Sequence, residues 1–445
     1  MQLVEQALVL GVVGLVAGLG PNNPLGADRQ RSRREAWPAV SSQRLERFEQ
    51  LVSGSRRRIR RSGSVYRVTI GRSGRIVLQD ESSLLVFGPT RVGKTRGVVV
   101  PAILGWSGPL IATSVKDDVF RWTSKERSRL GQVEVIGDPL NGDGIFWDPV
   151  LDLHSSEDAR AFASLLLRVS RSYGSSTGDA KFWFHLAEPL VAAIVRLASL
   201  GGSSELIEQL LRFEIADELV DLLVQSGEDS LAESLASLAQ GDHRQIASLQ
   251  LTAVELLRPI VDAAKLLGSR PRRTISSFLG SDDSNEQPTL YVDAPLRLHR
   301  QLAPYFTALI ESMVDRMLEK AVAHRRPTLI VLDEAANIAP IPSLGKLASV
   351  GSSYGVQLVS VFQDMAQLGA AYGVESGVIV NNHRSRLFLS GIADPETLRL
   401  METIMGGTVA GAPSALGGWR MLPRGVGWLV EARSLPRKVR IDVGR

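Results

Sequence analysis

Residues 84–100 read LLVFGPTRVGKTRGVVV: an apolar run, a loop bounded by glycines, then an apolar stretch that opens on Lys94 and Thr95. The segment GPTRVGKT at 88–95 fits the phosphate-loop pattern G-x-x-x-x-G-K-[ST], which works only between a strand and a helix. Gly88 and Gly93 let the backbone wrap so that loop N–H groups point inward at an anion. The helix that follows offers unpaired N–H groups and its positive dipole end to the same anion. The candidate nucleotide-binding set is Gly88, Pro89, Thr90, Arg91, Val92, Gly93, Lys94 and Thr95. Lys94 reaches the β and γ phosphates, and the Thr95 hydroxyl ligates Mg²⁺, so ATP and Mg²⁺ are the expected cofactors. A plain glycine-rich turn is the competing reading, and the flanking strand and helix argue against it.

The second half of such a site appears far downstream. TLIVLDEAANIAP, from Thr328, is a buried strand with Asp333 and Glu334 at its carboxyl end, where α/β sheets place ligands. Asp333 is placed to hold Mg²⁺ and Glu334 to polarise the attacking water. VQLVSVFQ at 356–363 is a further buried strand, and Gln363 at its end is the candidate γ-phosphate sensor; a loop-capping glutamine is the bland alternative. The chain has no cysteine, which excludes disulfides and thiolate metal sites, and its six histidines form no metal-ligand spacing or hydrolase triad.

At 445 residues, 44% hydrophobic and 22% charged, the chain has room for two or three globular domains. A net charge of +4 favours polyanionic partners only weakly. Residues 7–20, ALVLGVVGLVAGLG, form an uncharged apolar run that spans about 21 Å as a helix, short of the roughly 30 Å of a bilayer core. The arginines that follow it put the rest of the chain on the cytoplasmic side if it anchors. Residues 42–72 are polar and basic, with RRRIRR at 56–61, which suits a solvated linker, lipid headgroups or nucleic-acid phosphates equally.

Strand patterns at 110–112, 133–136, 289–292, 328–332, 356–362 and 387–390 alternate with helical segments, which predicts an α/β fold with a parallel sheet of buried strands. Between 153 and 279 the pattern is continuously helical and no strand is expected. The expected division is a membrane anchor at 1–28, a basic linker at 29–65, a nucleotide-binding domain in two parts at 66–152 and 285–445, and an all-α domain at 153–284 inserted between them.

From Tyr66 to Val430 the motifs resemble a known family, the TraG/TraD-like coupling ATPases of conjugative type IV secretion. The resemblance rests on five ordered blocks: GRSGRIVLQDESSLLVFGPTRVGKTRGVVVPAIL; VKDDVFRWTSKERSRLGQVEVIGDP, with Lys116 and Asp118; KFWFHLAEPLVAAIVRLA; LDEAANIAPIPSLGKLASVGSSYGVQLVSVFQDMAQL; and NNHRSRLFLSGIADPETLRLM. It implies a RecA-like P-loop NTPase core with an inserted all-α domain, assembled as a homo-hexamer. It also implies residence at the inner, cytoplasmic membrane through the N-terminus with the motor in the cytoplasm. The implied partners are single-stranded DNA with a bound relaxase or a secreted protein substrate, and secretion-channel proteins; the scattered basic charge and lack of a base-reading motif lead us to expect that the DNA is bound without regard to sequence. Family members usually carry two transmembrane helices with a periplasmic loop, where residues 7–20 offer at most one short run, and a long acidic docking tail is expected to be missing. Ser114 stands where many relatives have Asp, and Ser352 where many have Arg. With Ser352 in that place, the candidates for an arginine supplied in trans are Arg384 and Arg386, and strand capping is their bland alternative.

Two other readings compete with a DNA-driven coupling ATPase. One is a chromosome-pumping motor of the same superfamily (FtsK/HerA-like) with no secretion partner. The other is a membrane-tethered nucleotide-binding recruitment scaffold, against which intact Lys94, Thr95, Asp333 and Glu334 argue.

Overall fold

The expected apolar runs become strands within the set β1 (Thr69–Ile70), β2 (Ile76–Val77), β3 (Leu84–Phe87), β4 (Leu110–Ser114), β5 (Val133–Ile136), β6 (Phe146–Trp147), β7 (Arg272–Arg273), β8 (Thr289–Asp293), β9 (Thr328–Leu332), β10 (Val356–Phe362), β11 (Ser385–Leu389), β12 (Val426–Glu431) and β13 (Arg437–Arg440), of which β7 and β13 are basic rather than apolar. The computed structural model describes residues 68–71, 76–78, 82–137, 144–173, 178–279, 287–293, 298–319, 327–405, 422–432 and 434–441. The anchor expected at 1–28 and the linker at 29–65 lie outside the described residues.

Nine strands form one sheet in the order β13-β12-β11-β3-β10-β9-β4-β8-β5. Pairing is parallel from β11 to β5, and β12 and β13 are added antiparallel. The inner strands β3, β9 and β10 read as near-continuous apolar runs because both faces are covered, whereas the edge strand β13, RKVR, is mostly exposed. Leu84 and Val86 of β3 lie with Leu329, Val331, Val359 and Val361 under helices Thr95–Gly105 and Asp118–Arg127. Leu85 and Phe87 point the other way, into a core shared with Ile330, Leu332, Leu358 and Phe362. The expectation of buried strands fails at β5, where Val133, Glu134 and Val135 are half-exposed, because β5 is the edge of the sheet.

The α/β expectation is met, and the helical block lies where the periodicity put it. Helices Ser156–Arg171, Gly178–Leu200, Leu206–Leu210, Val220–Gln225, Asp229–Ala239, His243–Leu267 and Ile275–Leu279 follow one another. Ser155 opens the first with a capping box to Asp158, and Asp242 caps the longest through the Gln245 N–H. One expectation is corrected: β7 is a strand inside the block, and it pairs in parallel with β6. Phe182–Leu200 is long and apolar enough to cross a membrane, but 56% of that window is buried inside the protein, in the packing between helices. The apolar interior of this block is continuous with the second face of the sheet through Tyr305, Phe306, Leu309, Ile310 and Met313 of helix His299–Glu319.

Candidate functional site

The site forms along the carboxyl edge of the parallel sheet, where β3, β10 and β9 end side by side. This order brings together residues 238 positions apart in sequence: the Thr95 hydroxyl donates to Asp333 Oδ2 at 3.0 Å. Because β10 is inserted between β3 and β9, Gln363 ends between the phosphate loop and the acidic pair. The Gly88 N–H donates to the carbonyls of Phe362 (3.3 Å) and Gln363 (3.1 Å), tying the start of the loop to the end of β10.

The loop has the backbone its sequence demands. Gly93 has φ 98°, a region closed to side chains, and a Cβ at Gly88 would press on Leu389 and Val92 at 3.0 Å. The helix begins at once with one π-type turn, Thr95–Val99. Lys94 is 9% exposed and folds back over the loop, donating to the carbonyls of Gly88 and Pro89, the latter at 2.9 Å. Burial pushes the ammonium down, and Asp333, Glu334 and Asp364 oppose that shift.

Among the described residues, the only two non-glycine residues at positive φ are Arg91 (63°) and Glu334 (55°), and both are in this site. Each costs about 1–3 kcal/mol and marks a place where the fold holds an unfavoured conformation. At Glu334 the left-handed turn carries the chain from β9 directly into helix Ala335–Ile338, with Asn337 donating to Glu334 Oε2 at 3.2 Å.

Asp333 is 4% exposed, and its Oδ1 is buried without a hydrogen-bond partner. Burial pushes its carboxyl up to about 7; Glu334 and Asp118 add to the shift, and Thr95 and Lys94 oppose it. A buried carboxylate oxygen with no partner beside a threonine hydroxyl fits a hydrated divalent cation. No group of three or more histidine, aspartate or glutamate side chains is arranged to hold a metal among the described residues. Mg²⁺ is commonly held by one or two protein groups plus substrate phosphates, so the Thr95–Asp333 pair suits it.

Two carboxylates belong to this neighbourhood that sequence reading did not assign to it. Asp118 opens the helix after β4, and β4 pairs with β9 up to Leu332, so the loop from Ser114 to Asp118 abuts Asp333. Asp364 caps helix Met365–Tyr372 through the Gln367 N–H (2.8 Å) and lies within electrostatic reach of Lys94. Asp364 lies two residues and Asp118 four residues beyond a strand end, a position too common to single either out without the strand order. Arg384 and Arg386 are not gathered into the site. They sit at the amino end of β11, whose Ser385 pairs with Leu84, on the opposite edge of the sheet. Arg386 donates to the carbonyls of Val380 (2.9 Å) and Asn381 (3.3 Å), while Arg384 is exposed.

The family model described as type IV secretory system conjugative DNA transfer matches residues 41–412. The conjugal transfer protein TraG of Rhizobium radiobacter is 23% identical over 332 residues, covering 70% of this chain and 50% of that protein. The VirD4 protein of the same organism is 22% identical over 296 residues, covering 65% and 43%. The chain thus spans about half the length of the curated relatives it matches. Among solved structures, the plasmid coupling protein TrwB in complex with ADP and Mg²⁺ superposes with a TM-score of 0.66 at 19% identity, over 88% of this chain and 92% of that one. The same protein has been solved with a non-hydrolysable ATP analogue, again with a TM-score of 0.66. The fold is shared with TrwB, and the family match runs through the phosphate loop, the helical block and the acidic strand alike. The chain belongs to the type IV secretion family of conjugative DNA-transfer proteins.

Proposed function

We propose that this chain is the ATP-hydrolysing part of a coupling protein that recruits DNA with its bound relaxase, or a protein substrate, and drives it into a type IV secretion channel. The observation that carries the reading is the convergence of Lys94, Thr95 and an Asp333 oxygen buried without a partner at one strand edge. The crystallised complexes of TrwB with an ATP analogue and with ADP and Mg²⁺ support the choice of ligand.

Lys94 neutralises charge on the β and γ phosphates while the loop N–H groups hold their oxygens. Thr95 and Asp333 are the residues that would hold Mg²⁺, which supplies charge neutralisation between the phosphates when bound. Glu334 orients the attacking water and takes its proton, and Gln363 senses the γ-phosphate. Nucleic acid is bound through phosphates without reading bases, in keeping with scattered arginines and the absence of a base-reading motif. The motor works as a ring of six at the inner membrane, anchored through the N-terminus, with an arginine crossing from the neighbouring subunit. Arg384 is the better candidate for that role, because Arg386 is engaged by helix-end carbonyls.

The test is Mg²⁺-dependent ATP turnover by wild type, Lys94→Ala and Glu334→Gln. Each variant is expected to lose at least about 10²-fold in turnover, and Glu334→Gln is expected to retain bound ATP. Turnover at the wild-type rate in both variants would remove the assignment.

A further inference from the structure

Helix His299–Glu319 runs between the helical block and the sheet, and one face of it carries three polar residues at intervals of four: Thr307, Glu311 and Asp315. At that spacing they form a single stripe about 12 Å long. The two outer residues bond to the helical block. Thr307 Oγ1 is 2.6 Å from the Tyr173 hydroxyl, and Asp315 Oδ2 accepts from Arg168 of helix Ser156–Arg171 at 2.6 Å.

The middle residue turns to the nucleotide-binding side. Glu311 is fully buried, and its Oε1 accepts from both the N–H (2.8 Å) and the hydroxyl (2.7 Å) of Ser343. Its Oε2 is buried without a hydrogen-bond partner. Tyr372 lies within electrostatic reach, its hydroxyl buried beside the Ile341 backbone without a well-formed hydrogen bond. Burial is the largest influence on the Glu311 carboxyl and pushes it up, while the bonds from Ser343 oppose the shift.

Both neighbours lead straight to the site. Ser343 ends the segment that begins at Glu334 and passes through Pro340 and Pro342. Two fixed proline φ angles make that segment a poor absorber of movement. Tyr372 is the last residue of the helix that Asp364 caps, immediately after Gln363. Glu311 is therefore bonded to the end of one site-bearing segment and sits beside the end of the other. Leaving one oxygen of a buried carboxyl unpaired costs stability, so the fold pays to keep Glu311 at this junction.

We propose that the Thr307–Glu311–Asp315 stripe is the joint through which the helical block and the nucleotide site sense each other, with Glu311 as the positioning residue for the segment after Glu334. The proposal rests on nucleotide binding at the site described above. Movement of the γ-phosphate contacts at Glu334 or Gln363 shifts Ser343 or Tyr372, and the helix carries that shift to Arg168 and Tyr173. The same joint acts in reverse when a substrate presses on the helical block.

The experiment is hydrogen–deuterium exchange on the full chain, with and without Mg²⁺ and a non-hydrolysable ATP analogue, for wild type, Glu311→Gln and Glu311→Ala. A glutamine can keep the bonds to Ser343 and donate through its other end; an alanine cannot. Without nucleotide, Ser343 is expected to exchange about tenfold faster in Glu311→Ala and at the wild-type rate in Glu311→Gln. With the analogue, wild type and Glu311→Gln are expected to show an exchange change of about threefold or more in residues 156–171. Glu311→Ala is expected to lose that change while binding the analogue within about threefold of wild type. If Glu311→Ala does not fold, Asp315→Asn with Thr307→Val loosens the two outer bonds without emptying the core and should lose the same signal. A full-sized change at 156–171 in the loosened variants, or none in wild type that binds the analogue, overturns the joint. Should wild type not bind the analogue, the ATPase reading fails instead, and the joint then stands or falls on Ser343 exchange in the nucleotide-free variants.

Discussion

Replacing Asp333 with asparagine is expected to stabilise the nucleotide-free protein at alkaline pH while removing its response to Mg²⁺. In the folded chain the Asp333 carboxyl titrates at about 7, against 3.8 for an ordinary aspartate, chiefly because it is buried. The unfolded chain gives up this proton near pH 4 and the folded chain keeps it to near pH 7. Between those values the folded state holds more protons, so stability falls as pH rises. The full difference amounts to about 4 kcal/mol at pH 8, or about 8 °C in melting temperature for a unit of this size. Asparagine keeps the shape and still accepts from the Thr95 hydroxyl, but carries no charge to bury. The difference in melting temperature between Asp333→Asn and wild type should be near zero at pH 4 and grow steadily to pH 8. Saturating Mg²⁺ and ADP should close the gap by stabilising the wild type alone. Parallel melting curves for the two proteins across that range would refute the reasoning.

Arg384→Ala is expected to bind ATP normally and hydrolyse it at least about 10³-fold more slowly, with partial recovery on mixing with Lys94→Ala protein; wild-type turnover would end its candidacy. Arg386→Ala should instead lower the melting temperature, by about 2–4 °C per kcal/mol, through loss of the bonds to Val380 and Asn381. Affinity for single-stranded DNA should fall steeply with salt and barely depend on base order, measured by fluorescence anisotropy; strong preference for one sequence would contradict phosphate-based binding.

The parts of the site that were legible in the sequence are those set by local pattern. Gly88 to Thr95 must bend as they do because only glycine tolerates the conformation at Gly93, and an apolar run ending in Asp-Glu places carboxylates at a strand end. Asp118 and Asp364 were not legible as members of the site because the order of strands, not their spacing, brings them near Asp333 and Lys94. The same holds for β5, whose apolar residues look like those of any inner strand until the sheet shows it at the edge. Glu311 was the hardest to see. A single glutamate in an amphipathic helix reads as a solvated charge, and only packing on two sides reveals that it is buried against Ser343. The left-handed turn at Glu334 left no signal at all, since nothing in LDEAAN distinguishes it from a continuing helix start.

The central claim is that hydrolysis at Lys94, Thr95, Asp333 and Glu334 is coupled to nucleic acid. The most direct measurement is steady-state ATP turnover with and without single-stranded DNA over a salt series, for wild type beside Glu334→Gln. Turnover should rise about tenfold or more with DNA at low salt, lose that rise as salt displaces the DNA, and be absent from Glu334→Gln throughout. Turnover indifferent to DNA at every salt concentration, or equal in Glu334→Gln, would contradict it.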